Sequence, residues 1–280
     1  MRWIGIAVAA LALATGTATA GVLDRARETG ELRMAYRSDA QPFSYRNADG
    51  QPAGYSVALC AMIAREAAAE IGRDALKVVP VAVAADERLS AVPDGKADIL
   101  CEATTVTFAR RADMDFSLLT FATGATLLYP VDGVGTFEEL AGKKVGVLGG
   151  STTETGLREA LERAQIAAEV VPVASHTDGT ERLAGGEFAA YFGDGAILLY
   201  HLMQSPFRDR LRISDKVLSF EPYALGLPKG DDAFRLVVDR TLARLSRGGG
   251  IARLFEENFG AGASPSDLVK AMWILNSIPE

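Results

Sequence analysis

The chain has 280 residues, 49% hydrophobic and 23% charged, enough apolar material for sizeable cores and more than one average domain needs. Lys plus Arg number 29 against 36 Asp plus Glu, a net charge of −7, which is the opposite of the balance a nucleic-acid binder shows. Two cysteines cannot make a disulfide scaffold and two histidines leave little for a zinc site, so no metal or other cofactor is expected.

In chain order, Arg2 precedes an apolar stretch from Ile4 to Ala14, followed by small residues ending Ala18-Thr19-Ala20. This is the pattern of a secretory signal peptide over residues 1–20, too short for the ~20 apolar residues of a membrane span. The expected location is therefore the periplasm. Glu31 to Tyr36 reads as a strand. Ser56 to Ile71 has apolar residues at helical spacing and stops at Gly72. Leu76 to Val83 is a β-branched strand, Glu87 to Val92 a short helix, and Ala97 to Glu102 a strand again. Cys60 and Cys101 fall on this helix and this last strand. Export permits a disulfide between them, and two buried thiols fit the pattern equally well.

The alternation then repeats. Lys144 to Leu148 is a strand, Thr152 to Gln165 a helix, Ala168 to Val173 a strand, Asp178 to Ala184 a helix, and Ala189 to Phe192 a strand running into Gly193-Asp194. Extended segments flank this second unit, from Ala122 to Tyr129 and from Val217 to Leu227, and a helical run from Asp232 to Phe259 follows. The expected fold is α/β with two lobes: lobe 1 from residues 21–122 and 222–280, lobe 2 from residues 123–221. Two strands would cross between the lobes, leaving a cleft at the carboxyl ends of both sheets and a hinge for closure.

The densest polar cluster is Thr104-Thr105-Val106-Thr107-Phe108-Ala109-Arg110, just after a strand. An Arg fork with hydroxyls and free backbone N–H groups suits a carboxylate, although a solvated Arg beside an N-cap threonine has the same spacing. Gly149-Gly150-Ser151-Thr152 lies between strand and helix, where N–H groups at a helix start face an anion. It lacks the G-K-[ST] of a phosphate loop, and an ordinary Ser cap reads the same way. Asp194 is either a turn residue or an acceptor for an ammonium group. Hydrolase and metalloenzyme motifs are absent: there is no G-x-S-x-G, H-E-x-x-H or C-x-x-C.

Taken together, Gln41-Pro42-Phe43-Ser44-Tyr45, Gly54-Tyr55-Ser56-Val57, Gly95-Lys96-Ala97-Asp98, the Thr-rich run ending at Arg110, Asp115-Phe116-Ser117, Val145 to Gly150 and Tyr223 to Leu227 form an ordered set. In that order and spacing they resemble the family 3 periplasmic solute-binding proteins of ABC importers, which bind amino acids. The resemblance runs from about Gly30 to Gly260. It implies a two-lobed, type II periplasmic-binding-protein-like fold of two Rossmann-like lobes that close on ligand about two hinge strands. It also implies an inner-membrane ABC permease as partner, with the chain acting as a monomer.

By this resemblance Arg110 holds the ligand α-carboxylate with help from Thr105, while Ser151 and Thr152 supply donors from the other lobe. Asp194 holds the α-ammonium, and the Ala103 carbonyl is a further acceptor. The binders of glutamate and aspartate have basic residues matching Arg37, Arg88 and His176. Two small polar residues of that subfamily are replaced here by Ala85 and Ala103, and the aromatic that often precedes the Pro-Phe-Ser segment is Ala40. Two arginines aimed at one pocket, if unpaired, demand an anion, so glutamate or aspartate is the expected ligand. The competing expectation is an enzyme resembling the periplasmic cyclohexadienyl dehydratases, with Glu102 or His176 as general acid. A sensor subunit feeding a signalling receptor fits the same residues.

Overall fold

This computed structural model describes residues 21–279, so the expected signal peptide, residues 1–20, lies outside the described residues. The first helix, α1 (Val22–Thr29), ends at Gly30, whose φ of 74° turns the chain into β1 (Glu31–Tyr36). Three short strands, β2 (Asp39–Ala40), β3 (Ser44–Arg46) and β4 (Pro52–Ala53), form a small antiparallel sheet. They lead into α2 (Tyr55–Glu70), which buries Leu59, Ile63 and Ala67 at helical spacing. Then come β5 (Lys77–Ala82), β6 (Ile99–Leu100), α3 (Phe108–Arg111) and β7 (Asp115–Thr123).

The chain next passes through Gly124 into β8 (Ala125–Pro130), β9 (Lys144–Leu148), α4 (Thr152–Arg163), β10 (Glu169–Val173) and α5 (His176–Ala184). It continues through β11 (Ala190–Asp194), α6 (Gly195–Gln204) and β12 (Leu211–Ile213). The return strand is β13 (Glu221–Leu227), and α7 (Asp232–Arg247), α8 (Gly250–Phe259) and α9 (Asp267–Leu275) finish the fold.

Two five-stranded sheets result, in the orders β5-β1-β6-β13-β7 and β10-β9-β11-β8-β12. They share one plan. Three strands run parallel, and the fourth, β13 or β8, runs against both its neighbours. In each sheet that reversed strand is the one by which the chain arrives from the other lobe. The outgoing strand β7 and the returning β13 pair directly, with Glu221 opposite Thr123. The crossing is tight: a Cβ on Gly124 would lie 2.1 Å from Val217 Cγ1 and 2.4 Å from the Ser219 carbonyl oxygen. Only glycine leaves room there.

Each lobe has its own core. In the first, Phe43, Tyr55, Phe121, Tyr223, Phe255 and Phe259 form a continuous aromatic cluster, with Phe43 edge-on to Phe121 at 4.9 Å and to Tyr223 at 5.2 Å. In the second, Leu127, Val145, Val147, Leu157 and Phe192 are buried together. Cys60 on α2 and Cys101 after β6 form a disulfide with a Cα–Cα distance of 6.3 Å, which decides between the two readings left open by the sequence.

Several elements differ from the sequence-based expectation. Glu87 to Val92 is a chain of turns rather than a helix, and the Arg88 side chain folds back onto the Ala85 carbonyl. The strand expected over Ala97 to Glu102 pairs only at Ile99 and Leu100. The helical run from Asp232 to Phe259 breaks at Gly249, which is left-handed with φ 69°. The helix expected from Asp178 starts at His176, because Ser175 caps it by accepting the Asp178 N–H at 3.0 Å. No described helix is long and apolar enough to cross a membrane.

Candidate functional site

Between the two sheets, at the carboxyl ends of β1, β6, β9 and β11, lies a small cavity. Arg37, Arg88, Ala103, Thr105 and Arg110 line it from the first lobe, and Ser151, Thr152, His176 and Asp194 from the second. These nine are the residues singled out in the sequence. The walls are close together: the centre of a water molecule has about 20 Å³ in which to move. That is space for one or two waters, so an amino acid enters only if the walls part.

Arg110 starts from a local cap. Thr107 Oγ1 accepts the Arg110 N–H at 3.1 Å and begins α3, and Arg110 Nη1 donates to the Thr105 carbonyl at 2.7 Å. Among the described residues it makes no ion pair. Burial, together with nearby Arg88, pushes its guanidinium down from the ordinary arginine value, while Glu102, Glu221 and Asp194 push it up. Arg110 is thus a half-buried cation with a fork still open.

Arg37 and Arg88 are different. Arg37 Nη2 lies 2.5 Å from Asp39 Oδ1, and its Nε donates to the same oxygen at 3.0 Å. Arg88 Nε is 3.3 Å from Glu102 Oε1, and Glu102 also accepts from the Thr104 hydroxyl. All four side chains are buried or nearly so. The two arginines were expected to demand an anion because both would otherwise be uncompensated. The structure corrects this premise: each already has a carboxylate. Among the described residues Arg37 Nη1 donates no hydrogen bond and Arg88 Nε is buried without one, and both arginines line the cavity.

His176 sits against the same network. Its backbone N–H donates to Asp39 Oδ2 at 2.9 Å, a bond from the second lobe to the first, and its Nδ1 is 3.1 Å from the Tyr191 hydroxyl. Burial, then the charges of Arg37, His201 and Arg88, hold the imidazole well below its usual pKa, so it is neutral. The ring of Tyr191 packs on α5 at Gly179, where a Cβ would fall 2.2 Å from a ring carbon.

Asp194 ends β11 and precedes α6 without capping it. Its Oδ1 is shut off from solvent and has no hydrogen-bond partner. Burial pushes its pKa up to about 7. Glu221 and Glu102 add to this, whereas the Tyr223 hydroxyl and Arg110 oppose it. An unpartnered acceptor aimed into a cavity suits a cationic group.

The hydroxyls have a direction. Thr105 Oγ1 and Thr152 Oγ1 both donate to Glu221 Oε2, at 2.7 and 2.8 Å. With their protons committed, they face the cavity as acceptors. The sequence reading had Thr105 helping Arg110 hold a carboxylate. Its hydroxyl is turned away from that task, although its backbone N–H is not bonded to the partner residue in the isolated bridge to Tyr223. Ser151 caps α4, accepting the Glu154 N–H at 3.1 Å, which leaves the N–H groups of Thr152 and Thr153 at the helix start. Arg110 and the start of α4 therefore supply donors to the cavity, and Asp194 and the two threonine hydroxyls supply acceptors.

Sequence reasoning missed Asp39, Glu221 and Tyr223 and named Glu102 only as a candidate acid. A carboxylate two residues after Arg37 was the one signal available for Asp39. Among the described residues no group of three or more His, Cys, Asp or Glu side chains is arranged to hold a metal ion.

The family described as bacterial extracellular solute-binding proteins, family 3, matches residues 32–261. The L-glutamate/L-aspartate-binding protein of Pseudomonas aeruginosa is 29% identical over 250 residues, 89% of this chain and 83% of that protein. The glutamate/aspartate import solute-binding protein of Escherichia coli K12 is 27% identical over 277 residues, 96% of this chain and 92% of the relative. Among solved structures, the ancestral amino acid-binding protein AncCDT-1, a precursor of cyclohexadienyl dehydratase, aligns with a TM-score of 0.74 and 26% identity, over 85% of this chain and 99% of its own. The cysteine-binding protein of Campylobacter jejuni shares the fold, with a TM-score of 0.75 at 20% identity over 88% and 97% of the two chains. The architecture is the two-lobed, type II α/β fold expected from the sequence.

Proposed function

We propose that this chain, which belongs to the bacterial extracellular solute-binding proteins of family 3, captures an amino acid in the interlobe cavity and delivers it to an inner-membrane ABC permease. One observation carries the reading: an unpaired arginine, Arg110, and an unpartnered carboxyl oxygen of Asp194 line one cavity. That is the complement of an α-carboxylate and an α-ammonium on one carbon. The lobes are divided at residues 21–122 with 222–280, and 123–221, and the protein acts as a monomer after removal of residues 1–20.

The ligand side chain is read by Arg37, Arg88 and His176, and the preferred ligand is glutamate or aspartate. The leftover N–H groups of both arginines favour a second carboxylate, and two of the matched relatives carry glutamate and aspartate in their names. Asp39 and Glu102 lower the net positive charge these arginines offer, so the preference rests on donor geometry as well as charge. A calorimetric panel of glutamate, aspartate, glutamine, lysine, arginine and leucine tests it. Tightest binding of a neutral or cationic amino acid refutes the acidic-ligand reading.

An enzyme on the same scaffold is the second reading, supported by the likeness to AncCDT-1. Its candidate acids are poorly placed for the task. Glu102 is held by Arg88 and the Thr104 hydroxyl, and His176 lacks a proton to give beyond its neutral ring N–H. Incubation with prephenate or arogenate is expected to leave both unchanged, and turnover would establish the enzyme instead.

A further inference from the structure

Glu221 orients the two cavity threonines, and its position gives it a further role at the seam between the lobes. It is only 2% exposed and opens β13, where the chain returns from the second lobe. Its Oε2 accepts from Thr105 of the first lobe at 2.7 Å and from Thr152, the first residue of α4 in the second lobe, at 2.8 Å. The two threonine oxygens are themselves 3.3 Å apart. Its Oε1 accepts from Ser219 at 2.6 Å on the crossing segment. Among the described residues it makes no ion pair, and its hydrogen-bond partners are the hydroxyls of Thr105, Thr152 and Ser219. A buried carboxylate needs such donors, and bonds of this kind to an ionised acceptor are stronger than neutral ones.

We infer that Glu221 is a positioning residue that ties the two lobes together at the hinge and fixes Thr105 and Thr152 as acceptors toward the cavity. Separating the lobes breaks the Thr152 bond to Glu221 and frees that hydroxyl's proton, while the Thr105 bond, made within the first lobe, stays. Closing them restores the Thr152 bond and commits that proton to Glu221 again, leaving its lone pairs for the cavity. Glu221 thus couples two things that would otherwise be independent, the angle between the lobes and the hydrogen-bonding polarity of the cavity wall. On the far side of the cavity, the bond from the His176 N–H to Asp39 is a second seam contact that does not involve Glu221, so the tie acts on one flank of the cleft.

This inference rests on the seam geometry, and only its second readout depends on the amino-acid reading. The primary test is small-angle X-ray scattering of the dialysed mature chain with no amino acid added, comparing wild type with Glu221→Ala and Glu221→Gln. Glu221→Ala is expected to shift to a larger radius of gyration. Glu221→Gln is expected to stay near wild type, because its carboxamide oxygen accepts both threonine hydroxyls while its amide faces Ser219. An unchanged radius in Glu221→Ala overturns the inference. Should Glu221→Ala fail to fold, Thr152→Val removes the second-lobe hydroxyl at constant shape, and its unchanged radius overturns the inference equally. The second readout is calorimetry with L-glutamate: affinity falls about tenfold in Glu221→Ala and is restored in Glu221→Gln, a rescue that a loss of stability alone would not produce. Equal affinity in all three proteins also overturns it. Wild type that binds no amino acid refutes the proposed function and leaves the scattering comparison decisive.

Discussion

The role proposed for Asp194 makes ligand capture dependent on pH. Its carboxyl titrates near 7 because it is buried beside Glu221 and Glu102 with one oxygen unpartnered. An arriving ammonium pairs only with the ionised form, so binding draws the pKa down and expels the proton. The sign follows directly. Affinity is full well above pH 7 and is lost as pH falls through it, by a factor of one plus the ratio of the protonated to the ionised form. From pH 8 to pH 5 that factor grows about 90-fold, or about 2.7 kcal/mol. Burial and the nearby Arg37 hold the His176 imidazole well below its usual range, so its own titration is displaced toward acid. A glutamate side chain also stays mostly ionised at pH 5, with a reference pKa of about 4.3. Calorimetric titration with glutamate at pH 5, 6, 7 and 8, in buffers of different ionisation heat, reads both the affinity and the proton count. About half a proton is released per ligand at pH 7. Asp194→Asn is expected to bind weakly at every pH, with no slope. Equal affinity of wild type at pH 5 and pH 8, or an equal slope in Asp194→Asn, would refute the reasoning.

Other perturbations have equally definite outcomes. Arg110→Ala is expected to weaken every α-amino acid by about 2–5 kcal/mol, because all share the carboxylate that its open fork receives, and unchanged titration heats would remove it from the site. Arg37→Met leaves Asp39 buried without its cation, next to the ligand side chain. Glutamate affinity is expected to fall about tenfold more than glutamine affinity, and equal losses for the two ligands in calorimetry would count against Arg37 as a side-chain reader. The Cys60–Cys101 bridge closes a loop with a sequence separation of 41, which on chain-entropy grounds stabilises the fold by about 4 kcal/mol. Denaturant unfolding of Cys60→Ser/Cys101→Ser should show that loss, and a midpoint identical to the oxidised wild type would contradict it.

The second lobe was legible because β9 and β10 are each followed by a capping serine and an amphipathic helix, and the first because α2 stands between the strand segments β1 and β5. Thr105, Arg110, Ser151, Thr152 and Asp194 stand just after strand ends in that pattern, whereas Arg37, Arg88, Ala103 and His176 stand out only through the family resemblance. What escaped is set by long-range closure. Glu221 meets Thr105 across 116 residues, and neither its neighbours nor its type announces the pairing. Asp39 was nearer to hand, two residues from Arg37, but whether such a neighbour folds back on the arginine depends on the short strand β2. Strands of two or three residues such as β2, β3 and β4 carry no period to detect. Glu87 to Val92 has helical spacing, but Pro93 and Gly95 follow closely, and the segment settles for turns that bring Arg88 to the cavity.

The side-by-side pairing of β7 and β13 has a mechanical consequence. A single connecting strand would behave as a ball joint, leaving one lobe free to roll and swivel about the other. Two antiparallel tethers hydrogen-bonded to each other, pinched at Gly124, behave as a door hinge with one easy axis. Arg110 and Asp194 stand on opposite leaves of that door. Under the proposed function, a swing about that axis would bring them back to the same alignment each time, so the captured molecule would always meet both groups with the same handedness.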